Sequence, residues 1–385
     1  MNMEKDMTAP VSPVGAGAEQ SHSLDNSIIS DMEADCNSLD EYFAEQQRKL
    51  LLSMDLSYLP TVTMNELYEQ VYTHKPPLIK GLLYAGTYLF VGAPKLGKSF
   101  FMAQLAYHIS TGTALWGYPV RQGTVLYLAL EDDYRRLQKR LYRMFGTEGT
   151  DKLFFSVSAH QLDNGLDKQL SGFIGEHPDT SLIIIDTLQK VREVGGDSYS
   201  YANDYDIIAK LKCFSDTHGI CLLLVHHTRK QQADDKFDMI SGTNGLLGAA
   251  DGAFILHKEK RTANAAALEI SGRDQQDQKL YLVRDPEKLS WNLERAEAEL
   301  WKEPPEPLLE AIARFITADT PVWIGTATEL TELVGLEIPV NAITKRLNVN
   351  AGRLFNEYGI IYKSSRTHGG RKLELHLSAE KRDGS

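Results

Sequence analysis

Apolar residues in the middle of the chain follow two alternating spacings. Short apolar runs typical of buried strands are separated by stretches with an apolar residue every three or four positions, which is typical of helices. The predicted strands are residues 87–91, 124–130, 153–156, 182–185, 220–225 and 252–256. The predicted helices are residues 98–110, 134–145, 168–177 and 202–217. This alternation predicts an α/β domain with a mostly parallel sheet.

The pattern changes twice after Asp251. Three β-like runs with short turns between them, residues 253–258, 266–271 and 279–284, predict an antiparallel extension of the sheet. A proline-rich run at residues 302–307 cannot continue a helix or a central strand, so we place a linker there. Beyond it the spacing predicts helices at 308–316, 327–334 and 340–348 or slightly beyond, then β-like stretches around 360–364 and 372–377.

The N-terminal part lacks such periodicity. It is rich in serine, glycine, alanine and acidic residues, with few large apolar side chains to offset the entropy of ordering. The predicted organisation is a disordered acidic tail over residues 1–40, a short helix or linker over 41–60, an α/β domain over 61–300, a linker over 301–307 and a small domain over 308–380.

Composition is ordinary for a soluble protein, with 42% hydrophobic and 24% charged residues among 385. We find no apolar run long enough to cross a bilayer and no N-terminal leader, so a cytoplasmic protein without membrane contact is expected. The three cysteines, Cys36, Cys213 and Cys221, have neither metal-ligand spacing nor the density of a disulfide scaffold. They are interpreted as reduced.

Charge is distributed unevenly along the chain. The net charge is −11, and residues 1–45 hold ten acidic residues against one lysine. Residues 341–385 hold nine lysines and arginines against four acidic residues. A basic end is therefore available for a polyanion, and a merely solvated surface is the alternative.

A glycine-rich segment follows the first predicted strand and opens a helix. It reads Gly92-Ala93-Pro94-Lys95-Leu96-Gly97-Lys98-Ser99, with Phe100 next. Glycines let the backbone wrap round a phosphate so that N–H groups and the helix N-terminus point at it. Lys98 would place its charge on the β- and γ-phosphates, and Ser99 would offer a hydroxyl to Mg²⁺. The segment predicts a site for ATP.

Two further strands end in carboxylates. In Leu128-Ala129-Leu130-Glu131-Asp132-Asp133 the acids should face the phosphates, because the carboxyl ends of parallel strands line the ligand crevice. We favour Glu131 as the base that orients the attacking water, with Asp132 next, while Asp133 suits a helix N-cap. Asp186, which closes the apolar run 181–185, is the predicted second ligand of Mg²⁺ beside Ser99.

A fourth strand ends in His226 and His227. A neutral histidine at the ligand edge could sense the γ-phosphate, and we favour His227 over a purely structural role. The small, glycine-rich segment 241–251 that follows is either a mobile loop or a tight connection with a helical turn.

Together these motifs resemble the RepA-like branch of the RecA-fold ATPases, hexameric replicative helicases of plasmids, phages and mobile elements. The resemblance rests on residues 92–99, 127–133, 183–187 and 225–230 and covers roughly residues 75–290. It implies a RecA-like P-loop fold, a hexameric ring with ATP between subunits, single-stranded DNA contacted in the ring, and an arginine supplied in trans. Arg273 is our choice for that arginine, Lys260 and Arg261 compete with it, and an exposed arginine without a role is the alternative.

The C-terminal part resembles the small winged-helix modules attached to such ATPases. The matching segments are 326–330, 341–347 and 364–372. This resemblance implies a recognition helix and a basic wing on duplex DNA. The predicted DNA contacts are Lys345, Arg346, Arg353, Arg366, Arg371 and Lys372. A protein-docking domain is the alternative.

Three functions are compatible with these motifs. The favoured one is an ATP-driven motor or remodeller acting on DNA during replication of a mobile element. A recombination-type ATPase that does not unwind DNA is the second, and an ATP-switched DNA-binding regulator is the third. Intact Lys98, Glu131 and Asp186 argue against an inactive site and so against the third.

Overall fold

The structure is a computed structural model of the chain, and it describes residues 57–59, 61–72, 76–192, 201–228, 240, 244–258, 264–273, 275–298, 305–367 and 370–378. The predicted tail at 1–40 and most of the two predicted linkers lie outside these residues. The chain divides into two units, Met1–Leu67 and Tyr68–Ser385, which are described separately. The large sheet and the C-terminal domain both belong to the second unit.

A nine-stranded sheet forms the larger domain, in the order β3-β2-β4-β5-β1-β6-β7-β8-β9. The first six strands in this order pair in parallel, and β7, β8 and β9 extend the sheet antiparallel. The strands are β1 Gly86–Gly92, β2 Thr124–Ala129, β3 Leu153–Ser156, β4 Thr180–Asp186, β5 Cys221–His227, β6 Gly252–His257, β7 Ala265–Gly272, β8 Gln275–Arg284 and β9 Trp291–Ala298. The predicted α/β class and antiparallel extension are confirmed.

Both faces of this sheet are buried. Along β1, Tyr88 and Phe90 enter one apolar cluster and Leu89 and Val91 enter another on the opposite face. This is why the central strands are continuously apolar rather than alternating. The polar strand β9 was missed by the sequence analysis, because an exposed edge strand lacks that signal.

Helices connect the strands and build the C-terminal domain. They are α1 Met64–Glu69, α2 Lys98–Thr111, α3 Tyr134–Phe145, α4 Leu166–Glu176, α5 Leu188–Val191, α6 Tyr201–His218, α7 Asn244–Ala249, α8 Pro307–Phe315, α9 Ala327–Val334 and α10 Val340–Tyr358. Among the described helices, none has the length and apolar character needed to cross a membrane.

The C-terminal domain has its own apolar core. Helices α8, α9 and α10 pack with a three-stranded antiparallel sheet in the order β10-β12-β11. The strands are β10 Val322–Thr326, β11 Ile360–Thr367 and β12 Gly370–Leu377. The sequence analysis missed β10, whose side chains are only partly buried, and it ended the third helix near Asn348 instead of Tyr358. Thr326 and Glu329 start α9 with a capping box.

Candidate nucleotide site

The glycine segment forms the turn between β1 and α2. A side chain at Gly92 would lie 2.8 Å from the backbone oxygen of Leu256, so the strand tolerates no Cβ there. Gly97, immediately before α2, has a φ of 106°, a conformation that favours glycine. Backbone N–H groups at the start of α2 have no partner within the helix and are available to an anion. The loop therefore has the build of a phosphate site.

Lys98 is held inside this loop and is only 6% exposed. Its Nζ donates to the backbone oxygens of Gly92 at 2.7 Å and Ala93 at 3.1 Å, and lies 3.1 Å from Nδ1 of His227. Burial lowers the pKa of Lys98 to about 8, although the nearby Asp186 and Glu131 counteract this. A phosphate beside the amine would raise that pKa again. The lysine is thus positioned for an anionic ligand.

His227 accepts this contact in its neutral form. Burial lowers the pKa of His227, and the adjacent Lys98 lowers it further. A neutral ring that accepts at Nδ1 carries its proton on Nε2. His227, the predicted sensor, therefore lies against Lys98, whereas its neighbour His226 is buried in the sheet.

Asp186 ends β4 and lies beside Ser99. The carboxylate accepts hydrogen bonds from the Ser99 hydroxyl and, at 2.8 Å, from Tyr127. Burial raises the pKa of Asp186, and these two hydrogen bonds oppose the shift. A serine hydroxyl next to a carboxylate fits Mg²⁺, which takes a few protein oxygens and completes its shell with water and phosphates. The sequence analysis did not anticipate Tyr127, whose position inside an apolar strand gave no signal.

The three consecutive acids have three different environments. Glu131 accepts a hydrogen bond from the Thr187 hydroxyl at 3.2 Å. Asp132 forms an ion pair with Arg140 at 2.7 Å. Asp133 caps α3 by accepting from the Arg136 N–H at 2.8 Å, as predicted. Of the two candidate bases, Asp132 is already neutralised by an arginine.

A cavity of about 330 Å³ brings these groups together at the carboxyl edge of the parallel strands. The predicted residues that line it include Lys95, Gly97, Lys98, Ser99, Phe100, Glu131, Asp186 and His227. Arg140 and Arg284 line it as well. The Cζ atoms of these two arginines lie 5.1 and 4.7 Å from the centre of the Phe100 ring. Two positive charges that the sequence analysis did not assign thus flank the loop.

Strand direction explains why Arg284 lies at this site. Because β7 runs antiparallel to β6 and β8 antiparallel to β7, β8 ends at the same edge as β1. Counting strand directions in the sequence would have found Arg284. The same count places Arg273, in the turn between β7 and β8, at the opposite edge of the sheet.

Arg273 lies near the start of β1 rather than near its own chain's phosphate loop. Its backbone N–H donates to Asp251 at 2.8 Å, and its Nη2 donates to the Gly248 oxygen at 2.9 Å, at the end of α7. Any role in ATP hydrolysis therefore has to be across a subunit boundary, and that role stays a prediction. Of the neighbouring segment, 244–249 is helical, and residues 241–243, Lys260 and Arg261 lie outside the described part of the chain.

Five of the six predicted DNA-contacting residues have partners within the chain. Arg346 pairs with Glu306 at 3.4 Å, Arg353 with Glu357 at 2.9 Å and Lys372 with Glu374 at 3.0 Å. Lys345 and Arg371 contact Tyr68 and Glu69, respectively. The side chain of Arg366 lies outside the described residues.

Part of the larger domain is similar to a known protein family, and its fold is similar to that of solved structures. A family model described as "AAA domain" matches residues 55–233. A solved structure described as an "ATPase Domain" is 16% identical, with a TM-score of 0.48, and the match covers 66% of this chain and 99% of that one. A second solved structure is titled "The Structure Of A DnaB-Like Replicative Helicase And Its Interactions With Primase" and is 15% identical, with a TM-score of 0.47. That match covers 69% of this chain and 75% of the other chain.

A search of curated proteins found no match. The family match over residues 55–233 and the geometry of the glycine loop support an ATPase-type nucleotide-binding domain in this part of the chain.

Proposed function

We propose that this protein hydrolyses ATP with Mg²⁺ and uses the energy to move or remodel DNA, as a RepA-like replicative helicase of a mobile genetic element would. The observation that carries the proposal is the convergence of Lys98, Ser99, Glu131 and Asp186 on one cavity at the carboxyl edge of the sheet. These four residues come from three separate motifs, and a purely structural arrangement does not require them to face a common volume.

Each residue has a defined task in this proposal. Backbone N–H groups of residues 95–99 and the Lys98 amine bind the phosphates, while Ser99 and Asp186 hold the metal. Bound Mg²⁺ supplies positive charge to the β- and γ-phosphates. Glu131, whose carboxylate accepts a hydrogen bond from the Thr187 hydroxyl, orients the attacking water and accepts its proton. His227, in contact with Lys98, registers whether a γ-phosphate is present.

A hexameric ring completes the site in this proposal. Arg273 lies far from its own phosphate loop, which agrees with a role at a neighbour's ATP. Arg273→Ala should bind nucleotide but not hydrolyse it. Mixing it with Lys98→Ala subunits should restore some activity, because a mixed interface can combine an intact loop with an intact arginine. If no mixing ratio restores turnover, Arg273 is not a trans arginine.

The C-terminal domain is proposed to bind duplex DNA as a winged helix. Supporting this, its order of helix, strand, two helices and hairpin places basic residues on α10 and on the β11–β12 hairpin. Lys345 and Arg346 on α10 suit contacts in a groove, and Arg366, Arg371 and Lys372 on the hairpin suit phosphates.

One experiment tests the leading function against its rivals. ATP turnover is measured with and without single-stranded DNA, the oligomer is viewed by electron microscopy, and strand separation is followed on a forked duplex. A closed ring, stimulated turnover and unwinding support the motor. Stimulated turnover without unwinding indicates a recombination-type ATPase. Negligible turnover with DNA binding that depends on ATP indicates a regulator.

A further inference from the structure

A segment that precedes β1, the first strand of the large sheet, contacts the C-terminal domain. We call Tyr68–Glu69–Gln70–Val71 the strap. The Lys345 amine lies 5.7 Å from the centre of the Tyr68 ring, and Arg371 forms an ion pair with Glu69. Val71 packs against the apolar core of the C-terminal domain. Three of the four strap residues thus contact the C-terminal domain, and the partners of Tyr68 and Glu69 lie more than 270 positions away in sequence.

Asn348 on α10 gives this docking a specific anchor. It is only 2% exposed, and its Nδ2 donates to the backbone oxygen of Tyr68 at 2.8 Å. Its Oδ1 accepts from the Tyr362 hydroxyl at 3.0 Å. A buried amide is costly unless both of its ends are hydrogen-bonded, and here the strap backbone satisfies one of them. The face of α10 around Asn348 is therefore built to hold the strap.

The strap also occupies part of the predicted DNA surface. Lys345 and Arg371 are two of the six residues assigned to DNA, and they are the two that contact strap side chains. The Glu69 carboxylate takes the place at Arg371 that a phosphate oxygen would need, since carboxylate and phosphate use the same guanidinium geometry. Tyr68 lies over the lysine on α10, the helix proposed for groove contacts.

We propose that the strap is an internal competitor of DNA: residues 68–71 cover Lys345 and Arg371, and duplex DNA displaces Tyr68 and Glu69 when the C-terminal domain binds. The proposal rests on the proposed DNA-binding role of this domain. It adds that the strap of the same chain covers part of the predicted DNA-binding surface. DNA binding is thereby linked to the segment that precedes β1 of the large sheet.

The test uses the full chain and a short fluorescent duplex, titrated at two salt concentrations. Glu69→Gln removes the competing carboxylate with little change in size and should tighten binding about three- to fivefold, the scale of a partly exposed ion pair. Adding Tyr68→Ala should tighten it further. Glu332→Gln, which removes the same charge from the exposed surface of α9, is the matched control and should change the affinity little. Basal ATP turnover checks that each variant is folded.

Amide hydrogen exchange of the wild-type protein gives an independent measurement. Saturating duplex should speed exchange in residues 68–72 if the strap is displaced. The strap proposal would be overturned if the duplex binds but amide exchange in residues 68–72 does not become faster and Glu69→Gln does not change the affinity. That outcome would leave the DNA-binding role intact. If neither the wild type nor Glu69→Gln binds the duplex in a salt-dependent way, the DNA-binding role itself is wrong. The proposal that the strap competes with DNA is then wrong as well.

Discussion

The nucleotide edge of the large sheet and the basic surface of the C-terminal domain both collect charged side chains, but they use them differently. At the nucleotide edge, Lys98, Glu131 and Asp186 face one cavity of about 330 Å³. On the C-terminal domain, Arg346 and Arg353 are each paired with a carboxylate of the same chain. The first surface presents its charges to a ligand, whereas a ligand of the second has to compete for them.

Removing the central charge of the first surface should have the largest effect. Lys98→Ala should lower ATP turnover by at least about a hundredfold, because the amine neutralises charge that develops on the transferred phosphoryl group. Steady-state phosphate release measures this. Lys139→Ala, on the exposed side of α3, is the control and should leave turnover unchanged. Normal turnover in Lys98→Ala would mean that this cavity is not the ATPase site.

Substitutions of the neighbouring acids Glu131 and Asp132 should differ in their effect on ATP hydrolysis. Glu131→Gln should slow hydrolysis by about a hundredfold while ATP still binds, which is the scale for loss of a general base. Asp132→Asn breaks the ion pair with Arg140 and should slow hydrolysis far less. Single-turnover hydrolysis and nucleotide titration compare the variants. The reverse order of effects would assign the base to Asp132.

A substitution of Arg284 tests whether ATP contacts a cavity residue that no sequence motif predicted. Arg284→Ala should weaken ATP binding about tenfold, the effect of losing one charge-assisted contact. Titration with a fluorescent ATP analogue measures the affinity. Arg295→Ala, on the exposed strand β9, removes an arginine of the same extension and should have no effect. Equal affinities of all three proteins would exclude Arg284 from the nucleotide site.

ATP affinity should also depend on pH through Lys98. Its pKa of about 8 in the free protein lies below the usual value because of burial, and bound phosphates raise it. At a pH above this pKa, the free lysine is neutral and ATP binding has to take up a proton. The affinity for ATP should therefore be constant below the pKa and fall by up to about tenfold per pH unit above it. Lys98→Arg stays protonated and should show a flat profile over the same range. If the ATP affinity of Lys98→Arg also falls with rising pH, a group other than Lys98 causes the pH dependence.

The smallest effect is expected on the C-terminal domain. Replacing Arg366 and Arg371 by alanine should flatten the salt dependence of duplex binding by up to about two units of slope, since each lost phosphate contact contributes about 0.9. Replacing Lys345 and Arg346 should instead change the preference among sequences if these side chains reach base edges. Anisotropy titrations over a salt series measure both. An unchanged slope would mean that Arg366 and Arg371 do not contact phosphates.

Local signals fixed the strands, the glycine loop and the acids of this protein. A buried strand is continuously apolar, so β1, β4 and β5 and the polar residues at their carboxyl ends were visible in the sequence. Gly97 is required by a positive φ in a turn a few residues long. These features depend on neighbours in the chain, and prediction placed them within about two residues. Strands β9 and β10 carry no such signal, because only part of each is buried.

The tertiary structure decided which distant residues meet. Arg284 reaches the phosphate edge because strand direction reverses twice, from β6 to β7 and from β7 to β8. Tyr127 reaches Asp186 because β2 and β4 are paired. Asn348 meets Tyr68, 280 positions away, through the packing of the C-terminal domain. Periodicity reports only which face of an element is apolar. Contacts between separate elements depend on strand order, strand direction and domain packing, and these are set by the burial of the whole chain.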